Sequence, residues 1–185
     1  MRRERRWLGC NLVFVRHASR MIRHRCRARQ SINSMIPSRL GALLDPKHVV
    51  LELRGREAKD AVWEIVQLLA ESGELRSSKE FFAAVIEREA KSSTVANGGV
   101  AFPHARTLLV DELLLGIGRS KEGVAFPDAK TPVHLLFVLA VPQQMVNDYL
   151  ICVGALARRL STEGTREALL EASTAAEFLE RLRGE

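Results

Sequence analysis

The sequence predicts an α/β fold in which helices and strands alternate around one central sheet. The nearly continuous apolar run at 133–141 is typical of a strand covered on both faces. The segments 57–72 and 145–160 carry apolar residues at helical spacing. Because such helices and strands are interleaved along the chain, we expect layers packed on a sheet. The length of 185 residues fits one domain, with or without a tail.

The first half of the predicted domain contains one strand and two helices. Residues 48–53 alternate between apolar and polar side chains, which predicts a strand. The helix over 57–72 follows, and Gly73 ends it. Either Ser77 or Ser78 caps the next helix.

The second half begins with a glycine-rich turn and a short strand that ends at Pro103. The pattern Gly116-x-Gly118 with Gly123 does not match a dinucleotide-binding loop, so we interpret it as an ordinary turn. The remaining predicted elements are strands over 113–117 and 133–141 and helices over 145–160, 165–172 and 174–183.

Positive charge is concentrated at the start of the chain. Residues 1–39 hold eleven arginines and one acid, so they carry +10, and the rest of the chain carries −4. We interpret 1–39 as a disordered Arg-rich extension, or as a start assigned too far upstream of Met35, and 40–185 as the domain. A nucleic-acid or anionic-membrane arm is the alternative interpretation, but we expect neither nucleic-acid binding nor membrane insertion.

Several classes of site have no sequence signature. The cysteines Cys10, Cys26 and Cys152 form no C-x-x-C pair, which favours a reducing, cytoplasmic location. No apolar run reaches the about 20 residues that a membrane-spanning helix needs. The sequence contains no Walker motif, no His/Cys metal-ligand spacing and no nucleophile elbow.

The segment 98–106 combines a glycine pair, a short apolar run, His104 and a following arginine. We predict that it places a nucleophile of near-neutral pKa in a turn, beside positive charge and flexible backbone donors. A histidine that accepts a phosphoryl group needs an unprotonated nitrogen, a nearby cation and donors for the phosphoryl oxygens. The segment therefore predicts a phosphoryl-accepting histidine.

This segment closely resembles the active-site segment of the fructose/mannitol-type enzyme IIA (EIIA) family of the bacterial sugar phosphotransferase system. The resemblance extends over about residues 40–183. It implies a single α/β domain with a mixed central sheet flanked by helices. It also implies that the phosphocarrier HPr donates a phosphoryl group to His104, which passes it to an enzyme IIB (EIIB) or keeps it as a signal. The resemblance further implies that neither a cofactor nor a metal takes part.

The resemblance assigns roles to further residues. Arg88 corresponds to the arginine that lies beside the phosphohistidine. The turn residues Ser93, Thr94, Asn97, Gly98 and Gly99 correspond to a phosphoryl-binding turn, although relatives often have Gly-Asn in place of Asn97-Gly98. Tyr149 stands where many relatives carry a second histidine, so we expect slower or altered transfer.

Other polar residues are expected to be structural. We interpret Arg106 as a flank of the site, His48 and His134 as structural histidines, and Asp148 as a helix cap. Because Tyr149 replaces a histidine, a regulatory role of the nitrogen-related kind is favoured over sugar transport. The alternative function is an EIIA-like binding module that acts through protein contacts without being phosphorylated.

Overall fold

Helices and strands alternate along residues 40–127 and 129–184, which are the residues that the computed structural model describes. The predicted extension, 1–39, lies outside them. The helices are α1 (Ala58–Glu71), α2 (Ser78–Lys91), α3 (Val146–Leu160), α4 (Glu163–Glu171) and α5 (Ala175–Arg183). The strands are β1 (Val49–Val50), β2 (Val95–Ala96), β3 (Val100–Ala101), β4 (His104–Thr107), β5 (Leu114–Val124) and β6 (Val133–Pro142).

Strand β6 lies at the centre of one mixed sheet. Strand β5 pairs with it in antiparallel orientation on one side, while β3 and β4 pair with it in parallel on the other. Strand β1 runs parallel to β5, and β2 runs antiparallel to β3. The prediction of a mixed central sheet flanked by helices is confirmed.

Both faces of β6 are covered, as its continuous apolar sequence predicts. Leu136, Val138 and Ala140 belong to a buried cluster shared with α1 and α2. Leu135 and Phe137 alternate with them and point to the opposite face, where they are also buried. Helix α3 contacts β6 as well. The central strand is therefore fixed on both sides, which gives the strands beside it a rigid support.

The predicted helix boundaries are confirmed closely. The Oγ of Ser77 accepts a hydrogen bond from the backbone N–H of Glu80 and caps α2. Gly73, with φ of +81°, lies directly beyond the end of α1, where a left-handed backbone stops a helix. Helices α3, α4 and α5 occupy the three segments for which helices are predicted.

The first strand is shorter than predicted. A 3-10 helix occupies Pro46–His48, because Asp45 caps it through the N–H of Lys47 and proline favours the first helical position. Only Val49–Val50 pair with β5. The carbonyl of Leu51 instead accepts a hydrogen bond from the buried Arg119 side chain.

The interpretation of Gly116 and Gly118 as a turn is wrong, because both lie inside β5. A Cβ on Gly116 would lie 2.5 Å from Cγ2 of Ile65 in α1, and one on Gly118 would lie 2.6 Å from Cδ1 of the same side chain. These glycines let α1 pack closely on the sheet. Gly123, with φ of +87°, lies at the irregularity in the pairing of β5 with β6.

The histidine of the glycine-rich segment does not lie in a turn. It begins β4, whereas the apolar residues before it form the separate strand β3. Pro103 lies between the two strands and has no N–H to donate to a ladder. Its carbonyl accepts from the N–H of Leu139, so both short strands stay aligned along β6. His104 is thus anchored to the centre of the sheet.

Candidate functional site

The ring of His104 is oriented by the backbone that precedes it. Its Nδ1 lies 2.9 Å from the carbonyl oxygen of Phe102. Because a carbonyl can only accept, Nδ1 must carry the proton of this hydrogen bond. In the neutral imidazole the other nitrogen, Nε2, is then unprotonated and is the nucleophilic atom.

Tyr149 of α3 contacts this nucleophilic nitrogen. Its hydroxyl oxygen lies 3.1 Å from Nε2, and the two ring centroids are 4.8 Å apart with a 35° angle between the planes. Since Nε2 carries no proton, the tyrosine donates and the histidine accepts. Burial raises the pKa of Tyr149, while the charge of Arg88 opposes this shift. The phenol therefore keeps its proton near neutral pH.

The surroundings of His104 favour its neutral form. Burial lowers the pKa of the imidazole, and the positive charge of Arg88 lowers it further. The Phe102 carbonyl and the carboxylate of Glu89 act in the opposite direction but do not cancel the effect. The lowered pKa keeps Nε2 available as a nucleophile around neutral pH.

Arg88 supplies fixed positive charge next to the two rings. It lies in the last turn of α2, and its Nη1 donates a hydrogen bond of 2.8 Å to the carbonyl oxygen of Ser92. This bond holds the guanidinium at the end of the helix. The structure thus brings together His104, Arg88 and Tyr149, three residues from distant parts of the sequence.

A cavity of about 560 Å³ opens over these residues. Arg106 also lines it, because His104 and Arg106 are two residues apart on β4 and share a face. Arg106, which we expected only to flank the site, is thus part of the cavity wall. The cavity is lined by Ala84, Glu87, Arg88, Lys91, His104, Ala105, Arg106, Val141, Gln143, Val146 and Tyr149.

Lys91 and Gln143 are among the lining residues that sequence reasoning missed. Lys91 lies three residues after Arg88 on the same helix face, a spacing that could have revealed it. Its Nζ is 2.7 Å from a carboxylate oxygen of Glu87. Gln143 directly follows β6, at the edge of the sheet where β4 also ends. Sequence spacing alone does not reveal Gln143, because its position depends on strand pairing.

The predicted phosphoryl-binding turn is held by Glu89, another residue that sequence reasoning missed. The carboxylate of Glu89 accepts from the hydroxyls of Ser93 and Thr94 and from the N–H of Thr94, at 3.2, 2.5 and 2.8 Å. These hydroxyls therefore already have an acceptor. They are not among the residues that line the cavity.

The turn at Asn97, Gly98 and Gly99 connects β2 with β3. The two glycines have φ of +82° and +72°, a conformation that suits glycine. A Cβ on Gly98 would lie 2.7 Å from the guanidinium of Arg166, so this turn packs against the start of α4. Like Ser93 and Thr94, these three residues lie outside the cavity lining.

The other singled-out polar residues have structural positions. Nδ1 of His134 bonds to the carbonyl of Ser120 at 2.9 Å, as expected for a satisfied histidine. His48 is buried, with Nε2 3.6 Å from a carboxylate oxygen of Glu74. Asp148 lies in the first turn of α3 but is not its N-cap, because Met145 occupies that position. The expectation that Asp148 caps the helix is wrong.

Two kinds of feature are absent from the described residues, 40–127 and 129–184. None of their helices combines the length and apolar character needed to cross a bilayer. Nor do three or more of their His, Cys, Asp or Glu side chains gather in a way that could hold a metal ion.

The proteins that sequence comparison finds include two fructose-specific PTS components. The chain is 33% identical over 130 residues to the PTS system fructose-specific EIIABC component of Bacillus subtilis, covering 69% of this chain and 20% of that protein. It is 34% identical over 116 residues to the PTS system fructose-specific EIIA component of Haloferax volcanii, covering 62% and 75%. The chain thus spans only a fifth of the Bacillus protein.

Structure comparison and the family model agree with these similarities. The crystal structure of nitrogen regulatory protein IIA-Ntr from Neisseria meningitidis matches with a TM-score of 0.71 and 33% identity, covering 77% of this chain and 97% of that one. Residues 42–184 match the family model described as phosphoenolpyruvate-dependent sugar phosphotransferase system, EIIA 2. The chain therefore belongs to the EIIA 2 family of the phosphoenolpyruvate-dependent sugar phosphotransferase system.

Proposed function

We propose that this chain is a phosphocarrier that accepts a phosphoryl group on Nε2 of His104. The donor is the phosphorylated form of HPr, and the group then passes to an EIIB or is retained as a regulatory signal. The observation that carries the proposal is the fixed tautomer of His104. Its Nδ1–H is committed to the Phe102 carbonyl, which leaves Nε2 as the nucleophile at the cavity.

The proposed transfer requires no base. The lone pair of Nε2 attacks the phosphorus, the new N–P bond forms, and the N–P bond of the donor histidine breaks with its electron pair returning to the donor nitrogen. The proton on Nδ1 stays in place throughout. Because the phosphorylated ring gains positive character, the hydrogen bond from Nδ1 to the Phe102 carbonyl strengthens as the product forms.

Positive charge around the cavity supports the proposal. Arg88, Lys91 and Arg106 all line it, whereas Glu87 is its acidic member and is paired with Lys91. A phosphoryl group brings close to two negative charges, which such side chains stabilise by charge-assisted hydrogen bonds. We assign the main charge-stabilising role to Arg88, because its charge also acts on both His104 and Tyr149.

The extent and setting of the phosphocarrier follow from the same reasoning. We propose residues 40–185 as the EIIA domain and 1–39 as an extension that transfer does not need. Since the donor HPr and the acceptor EIIB domain work in the cytoplasm, we propose the same location for this chain. The turn at Ser93, Thr94 and 97–99 stays a predicted phosphoryl-binding turn, and neither its hydrogen bonds to Glu89 nor the cavity lining supports that role.

A second candidate function is favoured by Tyr149. Many relatives carry a second histidine at this position, whereas here a neutral phenol lies on the nucleophilic nitrogen. An EIIA-like module that binds partner proteins without being phosphorylated would keep this contact permanently. A regulatory phosphocarrier of the nitrogen-related branch, similar to IIA-Ntr, would break it when phosphorylated. Phosphorylation of His104 distinguishes the two.

The test is phosphoryl transfer from labelled phosphoenolpyruvate through enzyme I and HPr to the full chain. We expect acid-labile label on the parent protein and none on His104→Ala, because only Nε2 of His104 is offered as the acceptor. Absence of label from a folded parent with its cognate HPr would overturn the proposal and favour the binding module.

The role of Arg88 is tested in the same assay with Arg88→Gln. Losing a charge-assisted hydrogen bond in the transition state costs about 1.5–3 kcal/mol, so we expect transfer to slow by at least about tenfold. Lys79→Gln is the matched control, since Lys79 is exposed in the first turn of the same helix. Equal rates for the two variants would contradict the assignment.

A further inference from the structure

The contact between Tyr149 and His104 occupies the atom that must react. Nδ1 of His104 is bonded to the Phe102 carbonyl, and Nε2 accepts from the tyrosine hydroxyl at 3.1 Å. A neutral imidazole has one in-plane lone pair, on its unprotonated nitrogen. An incoming phosphorus atom needs this same lone pair. The hydroxyl hydrogen and the phosphorus cannot both occupy it.

We propose that Tyr149 is a latch on the nucleophile: its hydroxyl covers Nε2 in the resting protein, leaves it before transfer, and then donates to an oxygen of the phosphoryl group on His104. This inference rests on the proposed phosphocarrier function. Tyr149 therefore has two opposite effects: its hydroxyl slows transfer by covering Nε2, and it stabilises the phosphohistidine once transfer has occurred.

The surroundings of the tyrosine allow such a movement. Its side chain is half-buried and borders the cavity of about 560 Å³, so the ring has space on that side. The next two residues, Leu150 and Ile151, are 58% and 43% exposed. A single neutral hydrogen bond, together with the tilted contact of the two rings, has to be given up.

The proton balance of the step is simple. The phenol keeps its proton when it moves from Nε2 to a phosphoryl oxygen, so Tyr149 acts as a hydrogen-bond donor in both states. The Nε2–P bond forms, the N–P bond of the donor breaks, and the donor nitrogen keeps the electron pair. Tyr149 contributes no positive charge to the product, so neutralisation falls to Arg88 and the other basic residues of the cavity.

The experiment compares the full-length parent with Tyr149→Phe, using phosphoramidate as a small phosphoryl donor. The phenylalanine ring keeps the packing on His104 and removes only the hydroxyl. We expect Tyr149→Phe to accept the phosphoryl group about fivefold faster, as the loss of one neutral hydrogen bond predicts. We also expect its phosphohistidine to hydrolyse faster, because the stabilising donor is gone. His104→Ala gives the background.

A second readout does not depend on phosphorylation. A hydrogen bond donated to the neutral form of an imidazole disfavours its protonation. NMR titration should therefore show a higher His104 pKa in Tyr149→Phe than in the parent. A residue that only packed on the ring would leave the proton equilibrium unchanged, because phenylalanine packs in the same way.

The outcomes separate the latch from the proposed function. Equal acceptance rates with an unchanged His104 titration would overturn the latch, and label on His104 would leave the phosphocarrier function standing. Slower acceptance by Tyr149→Phe would also overturn the latch. Absence of label from both proteins, with phosphoramidate and with phosphorylated HPr, would overturn both proposals together.

Discussion

The neutral imidazole of His104 is held in one tautomer by two neighbours, one that accepts a hydrogen bond and one that donates a hydrogen bond. The Phe102 carbonyl accepts from Nδ1 of His104, while the Tyr149 hydroxyl donates to Nε2. Burial and the charge of Arg88 keep the ring unprotonated. The two nitrogens therefore have different roles. Nδ1 anchors the ring to the backbone, and Nε2 faces the cavity.

The lowered pKa of His104 has a measurable consequence. We expect its NMR titration midpoint to lie below the ordinary value of 6.5, because burial disfavours the charged ring. As the pH falls through 6.5, the unfolded chain takes up a proton before the folded protein does. The contribution of neutral His104 to stability therefore declines as the pH falls through this window. A midpoint at or above 6.5 would contradict this description, and loss of the signal in His104→Gln assigns it.

The sequence identifies the residues proposed to act in phosphoryl transfer better than the residues that hold the neighbouring turn in place. His104 is predictable from the 98–106 segment, and the family resemblance assigns roles to Arg88 and Tyr149. Glu89 is not predictable in the same way, because a glutamate near the end of a helix looks like an ordinary surface charge. Its role depends on the chain turning back so that Ser93 and Thr94 reach it.

At the scale of elements, strand pairing positions the site. Strand β4 pairs in parallel with the buried strand β6, and α3 follows β6 after a short connection. The start of α3 therefore lies close to β4, which brings Tyr149 to His104. The apolar run of β6 is readable from the sequence, but the parallel register of β4 is not, because four residues carry too little pattern.

The glycines of β5 show a second limit of the sequence. Gly116 and Gly118 resemble a turn when only spacing is considered, yet both are strand positions where α1 approaches closely. A missing side chain looks the same in the sequence whether it serves a turn or close packing. Only the position of Ile65 above the strand distinguishes these possibilities.

This packing predicts different outcomes for two glycine-to-alanine variants. Gly116→Ala places a methyl group against Ile65 and Leu69, so we expect it to lower the free energy of unfolding by about 1–3 kcal/mol. Gly164→Ala in α4 meets no atom within 4 Å, so stability should be unchanged or rise by up to about 1 kcal/mol. Urea denaturation measures both. Equal stability of the two variants would contradict the close packing of α1 on β5.

At the scale of the whole molecule, the charge of the chain is divided unevenly. The +10 of residues 1–39 contrasts with the −4 of the remainder. The family model matches 42–184, and the site residues fall within that range. The net positive charge of the chain therefore comes from its first segment, whereas the remainder is acidic overall and has basic side chains at the cavity of His104.

We accordingly predict that a chain starting at Met35 accepts phosphoryl groups from HPr at the same rate as the full chain. Its net charge differs greatly, but none of the cavity residues is removed. The relay assay at two salt concentrations measures this, since long-range steering by the arginines would weaken with salt. A marked loss of rate on truncation, reversed by adding back residues 1–34, would show that the extension contributes.

The most direct measurement is phosphorus–nitrogen correlation NMR on the phosphorylated full chain with labelled histidine. We predict one phosphohistidine, at His104, with the phosphoryl group on Nε2 and the proton retained on Nδ1. A phosphoryl group on Nδ1, on another residue, or on no residue of the folded protein would show that the Phe102 carbonyl does not select the reacting nitrogen.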